Sequence, residues 1–100
     1  MSRIQQVNSA PEYITNFISG NSEKLNEIYE EGIQIHGSGC MMFLCSEETN
    51  KMDVQFMNDD MMCEILERDS WFQVKNNIPA DKKLFFIKDE GLSAVFMVYI

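Results

Sequence analysis

Basic residues are scarce in this sequence: eight Lys and Arg stand against sixteen Asp and Glu, a formal charge of −8. A surface of that sign repels nucleic acid and anionic lipid and attracts basic partners, so direct DNA or RNA binding is not expected. Long apolar runs are also missing. No segment approaches the roughly 20 apolar residues of a membrane span, and residues 1–8 hold one basic residue and no apolar stretch of signal-peptide length. The expectation is a cytoplasmic chain that is neither secreted nor inserted in a membrane. Cysteine is sparse and odd in number: Cys40, Cys45 and Cys63 lie among apolar neighbours without the spacing of a disulfide framework, which predicts reduced thiols.

Histidine occurs once, so acid–base chemistry by any group other than a carboxylate would rest on His36. His36 with Cys40, Cys45 and Cys63 offers zinc-type ligands, but no two of them form the tight C-x2-C pair of a zinc turn. Cys40 and Cys45 would point to opposite faces of a strand. The segment His36-Gly37-Ser38-Gly39-Cys40 has histidine where a nucleophile elbow needs its first glycine, and a strand follows where that motif needs a helix. No Gly-Lys-Ser/Thr completes a phosphate loop, and no D-x-D-x-D-G run with a distal glutamate forms a calcium loop. The sequence therefore predicts no catalytic residue, no metal site and no cofactor.

What is present is the composition of a folding chain. One hundred residues, 45% apolar and 11% aromatic, predict a single domain spanning residues 1–100, with room for one core. Ser9-Ala10-Pro11-Glu12 has the form of a capping box and predicts a helix whose inner face is Tyr13, Ile14, Phe17 and Ile18, stopped by Gly20. Asn21 or Ser22 caps a second helix with Leu25, Ile28 and Tyr29 on one side and Glu23, Glu27, Glu30 and Glu31 on the other, ended by Gly32. Ile33 and Ile35, and then the run Cys40-Met41-Met42-Phe43-Leu44-Cys45, read as two strands. After a polar turn, Met52, Val54 and Phe56 alternate with Asp53 and Gln55 to complete a hairpin.

Asn58, Asp59 or Asp60 caps a third helix that carries Met61, Met62, Ile65 and Leu66 inward. Residues 71–74 fit either the end of that helix or a new strand. Leu84-Phe85-Phe86-Ile87 and residues 92–100 flank Lys88-Asp89-Glu90-Gly91, a hairpin signal. Residues 94–100 are apolar on both faces, as in a central strand covered on both sides or lying at a protein contact. The expected architecture is two-layer α+β: a mainly antiparallel sheet of four or five strands with about three short helices on one face.

Two features bear on function. Six of the eight methionines, Met41, Met42, Met57, Met61, Met62 and Met97, sit among apolar residues, where they serve as core filler or as an adaptable binding surface. The acids are unevenly spread: residues 47–69 alone carry a charge of −6. Carboxylates three or four apart on a helix lie about 5–6 Å from one another, close to the spacing of phosphates along a nucleic-acid strand. Glu47, Glu48, Asp53, Asp59, Asp60, Glu64 and Glu67 are thus the expected binding residues of a small protein-interaction domain. Its partner would be a basic protein, and it would act as an inhibitor of a nucleic-acid-binding protein by nucleic-acid mimicry. The competing expectation is a homodimer that acts as a scaffold through its apolar C-terminal strand, with the charge serving solubility.

Overall fold

The computed structural model describes residues 3–89 and 91–100. It is α+β, with three helices and a six-stranded mixed sheet. In chain order the elements are β1 (Ile4–Val7), α1 (Glu12–Gly20), α2 (Ser22–His36), β2 (Cys40–Ser46), β3 (Met52–Met57), α3 (Asp59–Arg68), β4 (Trp71–Val74), β5 (Lys82–Asp89) and β6 (Leu92–Tyr99). The strands lie in the order β1-β4-β5-β6-β2-β3, antiparallel throughout except where β1 runs parallel to β4.

The sheet is larger than the expected four or five strands because two four-residue strands, β1 and β4, extend it on one side. Residues 71–74 resolve as strand: Trp71 donates its amide to the Arg3 carbonyl (3.1 Å) and Lys75 does the same to Val7 (2.8 Å), so β1 supplies the partner that settles them. The apolar run of β6 is that of a central strand, hydrogen-bonded to β5 on one side and β2 on the other.

The single helical layer is corrected to two. Strands β2 and β6 are apolar on both faces, so each face needs its own cover. On one face Met41, Phe43, Cys45, Val95 and Met97 meet Ile14 and Phe17 of α1 and Leu25 of α2. On the other, Cys40, Trp71, Phe85 and Phe96 meet Met62, Ile65 and Leu66 of α3. Trp71 stacks on Phe96 with ring centroids 4.8 Å apart, at the centre of this second core.

The helix boundaries also differ from expectation. Ser9 makes no cap; α1 begins after Pro11, and its last residue, Gly20, has no left-handed backbone. Asn21 instead donates from Nδ2 to the Phe17 carbonyl at 2.9 Å, tying down the end of α1. The second helix does not stop at Gly32 but runs on to His36, taking in Ile33 and Ile35, and the left-handed terminator is Gly37 at φ 83°. Gly32 has a packing role: a Cβ there would lie 2.2 Å from Cδ2 of Phe56. The ring of Phe56 occupies the space a side chain would need, which lets α2 approach the edge strand β3. For α3 the cap is as expected, with Asn58 Oδ1 accepting from the Met61 amide at 2.9 Å.

Candidate protein-interaction face

Because side chains alternate along a strand, the residues of β3 divide cleanly. Met52, Val54 and Phe56 join the core under α1 and α2, so Asp53 and Gln55 look to the opposite side, the one α3 occupies. Asp53 stands directly across from Leu44, which in turn pairs with Ala94 and, one strand further, Ile87. This row of the sheet is not fully roofed. A ten-residue helix is about 15 Å long, whereas six strands at about 4.8 Å spacing span roughly 24 Å. Leu44 is left 38% exposed, Leu92 44% and Met61 of α3 43%.

Of the expected binding carboxylates, Asp53 stands on this strip, across from Leu44. Glu47 and Glu48 lie in the β2–β3 turn, which is closed by the Ser46 amide on the Lys51 carbonyl (3.0 Å) and anchored to the neighbouring hairpin by the Glu47 amide on the Gly91 carbonyl (2.8 Å). Asp59 and Asp60 occupy the first turn of α3, where the unpaired helix amides favour negative charge. Asp60, Glu64 and Glu67 fall at i, i+4 and i+7, forming an exposed row along the helix opposite Met62, Ile65 and Leu66. Of the seven expected residues, Asp53 and the four carboxylates of α3 lie on the α3 side of the sheet, Glu48 lies in the β2–β3 turn, and Glu47 lines a surface hollow with Pro11, Tyr13 and Lys88 at the start of α1. All seven are exposed.

None of the seven pairs with a cation among the described residues. Among the described residues the ion pairs join Arg68 to Asp69 (3.6 Å) and Lys82 to Asp81 (3.8 Å), each between sequence neighbours. The field of Asp59 also reaches inward. Burial first, and then the Asp59 carboxylate, push the Cys40 thiol up to about 12. Tyr29 is raised in the same way, by burial and then by Asp59.

The groups weighed for chemistry are dispersed. His36 is exposed at the end of α2 and stacks on Phe56 with centroids 5.5 Å apart. Cys40 and Cys45 are buried on opposite faces of the sheet, as their odd spacing on one strand requires, and Cys63 is exposed on α3. Burial alone pushes Cys45 up to about 12. Among the described residues no three His, Cys, Asp or Glu side chains are grouped to hold a metal, and no helix is long and apolar enough to cross a membrane. Of the methionines, Met41, Met57 and Met97 are core filler, whereas Met61 belongs to the exposed strip.

Sequence reading missed Leu44 and Leu92 as surface residues, because runs apolar on both faces predict cover on both sides. The available signal was length, since one ten-residue helix is too short to roof the sheet it crosses. No protein-family model, curated protein or solved structure matches this chain.

Proposed function

We propose that this protein is an acidic protein-interaction domain whose α3 face engages a basic partner. One observation carries the reading: Asp53 stands across from the exposed Leu44 on the α3 side of the sheet, and Asp59, Asp60, Glu64 and Glu67 lie on the helix that carries the exposed Met61, with no cation paired to any of them among the described residues. Charge supplies long-range attraction and orientation, and the apolar strip supplies contact area that excludes water. Complementarity asks for a partner that presents Lys or Arg around an apolar centre.

The partner class that fits best is a nucleic-acid-binding protein. The Asp60–Glu64–Glu67 row spaces negative charge at about 5–6 Å, so it can occupy a groove built for phosphates and block it. The domain then acts as an inhibitor by mimicry and has no need of catalysis.

The test is affinity capture from a cell extract at low salt and at about 0.5 M salt, where screening removes most long-range attraction between exposed charges. Wild type is compared with Asp60→Lys/Glu64→Lys/Glu67→Lys and with Glu23→Lys/Glu27→Lys/Glu30→Lys, an equal charge change on α2. The expected result is a basic protein retained at low salt, displaced by added duplex DNA, lost in the α3 variant and kept in the α2 variant. Equal retention by all three forms sinks the reading. Recovery of only the chain itself points to self-association instead.

A further inference from the structure

The opposite side of the sheet, under α1 and α2, holds a feature the acidic face does not explain. A cavity of about 310 Å³ opens between the α1–α2 junction and the segment leading into β5. Its floor is core: Leu25 and Leu84 are fully buried and Met97 is 3% exposed, and Ile18 and Ile78 add apolar wall. Size and lining both fall within the range of small-molecule sites.

The rim carries one cation and several neutral polar side chains. Among the described residues Lys82 is the single charged one lining the cavity, and no carboxylate lines it, in a chain with twice as many acids as bases. The Lys82 ammonium is held 5.2 Å from the centroid of the Tyr99 ring, and its side chain is 20% exposed. Its carboxylate contact is a loose 3.8 Å approach to Asp81, itself 67% exposed, so the ammonium retains donor capacity. Tyr99 is fixed in turn: its ring stacks on Tyr29 at 3.8 Å, and its hydroxyl donates to Asn26 Oδ1 at 3.0 Å. With Oδ1 engaged, Asn26 offers its Nδ2 as a further donor, beside the hydroxyls of Ser19 and Ser22.

We propose that this cavity binds a small carboxylate with an apolar tail, the tail against Leu25, Leu84 and Met97 and the carboxylate on Lys82 and Asn26. An apolar floor beneath one half-buried cation and several donors is complementary to that class. A neutral ligand leaves the ammonium with only the loose contact to the exposed Asp81 carboxylate, and a cation is repelled by it. This inference does not depend on the acidic face.

Octanoate is the probe, with octanamide as its neutral counterpart, followed by calorimetry and by methyl NMR of the full chain. The expected result is saturable octanoate binding with shifts centred on Leu25, Leu84 and Met97. Octanamide is expected to bind about tenfold more weakly, and Lys82→Gln to lower octanoate affinity by about tenfold, the worth of one charge-assisted hydrogen bond. A second variant, Ile18→Trp, fills the cavity and should abolish binding while leaving the α3-face interaction intact. Circular dichroism of each variant verifies folding. Octanoate and octanamide binding equally, shifts centred elsewhere, or no saturation would each overturn the proposal.

Discussion

Gly32 of α2 and Phe56 of β3 share one space: a Cβ on the glycine would stand 2.2 Å from the ring. The same ring stacks on His36 at 5.5 Å and lies 6.2 Å from Tyr29 at a tilt, so α2 closes over the edge strand through this one aromatic side chain. Gly39 meets it from the following segment, at 2.3 Å from Cζ for the same hypothetical atom.

Replacing Gly32 with alanine should therefore destabilise the protein. Helix propensity alone would favour alanine by about 1 kcal/mol, but overpacking costs about 1–3 kcal/mol. The expected net loss is up to about 2 kcal/mol in urea denaturation. Phe56→Leu in the same chain should recover part of it, and strict additivity of the two changes would show that the sites are not in contact.

The hydroxyl of Tyr13 on α1 meets that of Ser93 on β6, where Ser93 is 1% exposed. Tyr13→Phe should cost about 1–3 kcal/mol, because it strands a buried hydroxyl. Adding Ser93→Ala should return much of that loss. Thermal melts of the two single variants and the double variant measure the coupling.

Thiol chemistry should discriminate sharply among the cysteines. Cys40 and Cys45 are buried with their thiols pushed up to about 12, whereas Cys63 is exposed. The thiolate is the reacting form. At pH 8 an aromatic disulfide reagent should modify Cys63 rapidly in the folded protein, with Cys40 and Cys45 following only after denaturant is added. Rapid modification of all three without denaturant would contradict the burial described.

Alkali should weaken the fold earlier than tyrosine chemistry alone predicts. Cys40 and Cys45 are raised from 9.0 to about 12 and Tyr99 from 10.0 to about 12, all three first by burial. Between the unfolded and folded values the native state binds more protons, so stability falls as pH rises. The decline should begin near pH 9, steepen above pH 10 and run to about pH 12. Urea midpoints across that range test it, and Cys45→Ala should remove part of the slope below pH 10.

Unpaired acids on α3 should make the protein more stable in salt. Asp60 and Glu64 lie one turn apart, and like charges at that spacing cost about 0.2–0.5 kcal/mol. Glu64→Gln should raise the urea midpoint in dilute buffer and have less effect at about 0.5 M salt, where screening already removes the repulsion.

How much of this was legible in the sequence depends on the range over which each signal acts. Local signals were sufficient for the Asn58 cap, for the inward faces of α1 and α2 and, apart from Met61, which is 43% exposed, of α3, and for the β2–β3 hairpin, since each is written within a few residues. The acidic residues were also legible, because exposure of charge follows from solvation. What failed were features set by distant parts of the chain. Gly32 looked like a stop because its reason for being glycine is Phe56, far along the sequence. Ile33 and Ile35 were drawn into a strand by that false stop. Residues 4–7 carried no strand signal because their partner, residues 71–74, is equally short. The cavity beside Lys82 was invisible, as its walls come from α1, α2, β5 and β6 together.

The parallel pairing of β1 with β4 has a consequence for the order in which the molecule assembles. Every other pairing in the sheet is antiparallel, and β2–β3 and β5–β6 are hairpins that close locally. Ile4 must instead find Trp71 across most of the chain, and whereas the long-range β2–β6 pairing is seven residue pairs long at the centre of the sheet, only four pairs at its edge offset the closure of this loop. Strand β1 is therefore expected to dock last and to detach first, so its amides should exchange with solvent through a local opening that leaves the remaining five strands closed.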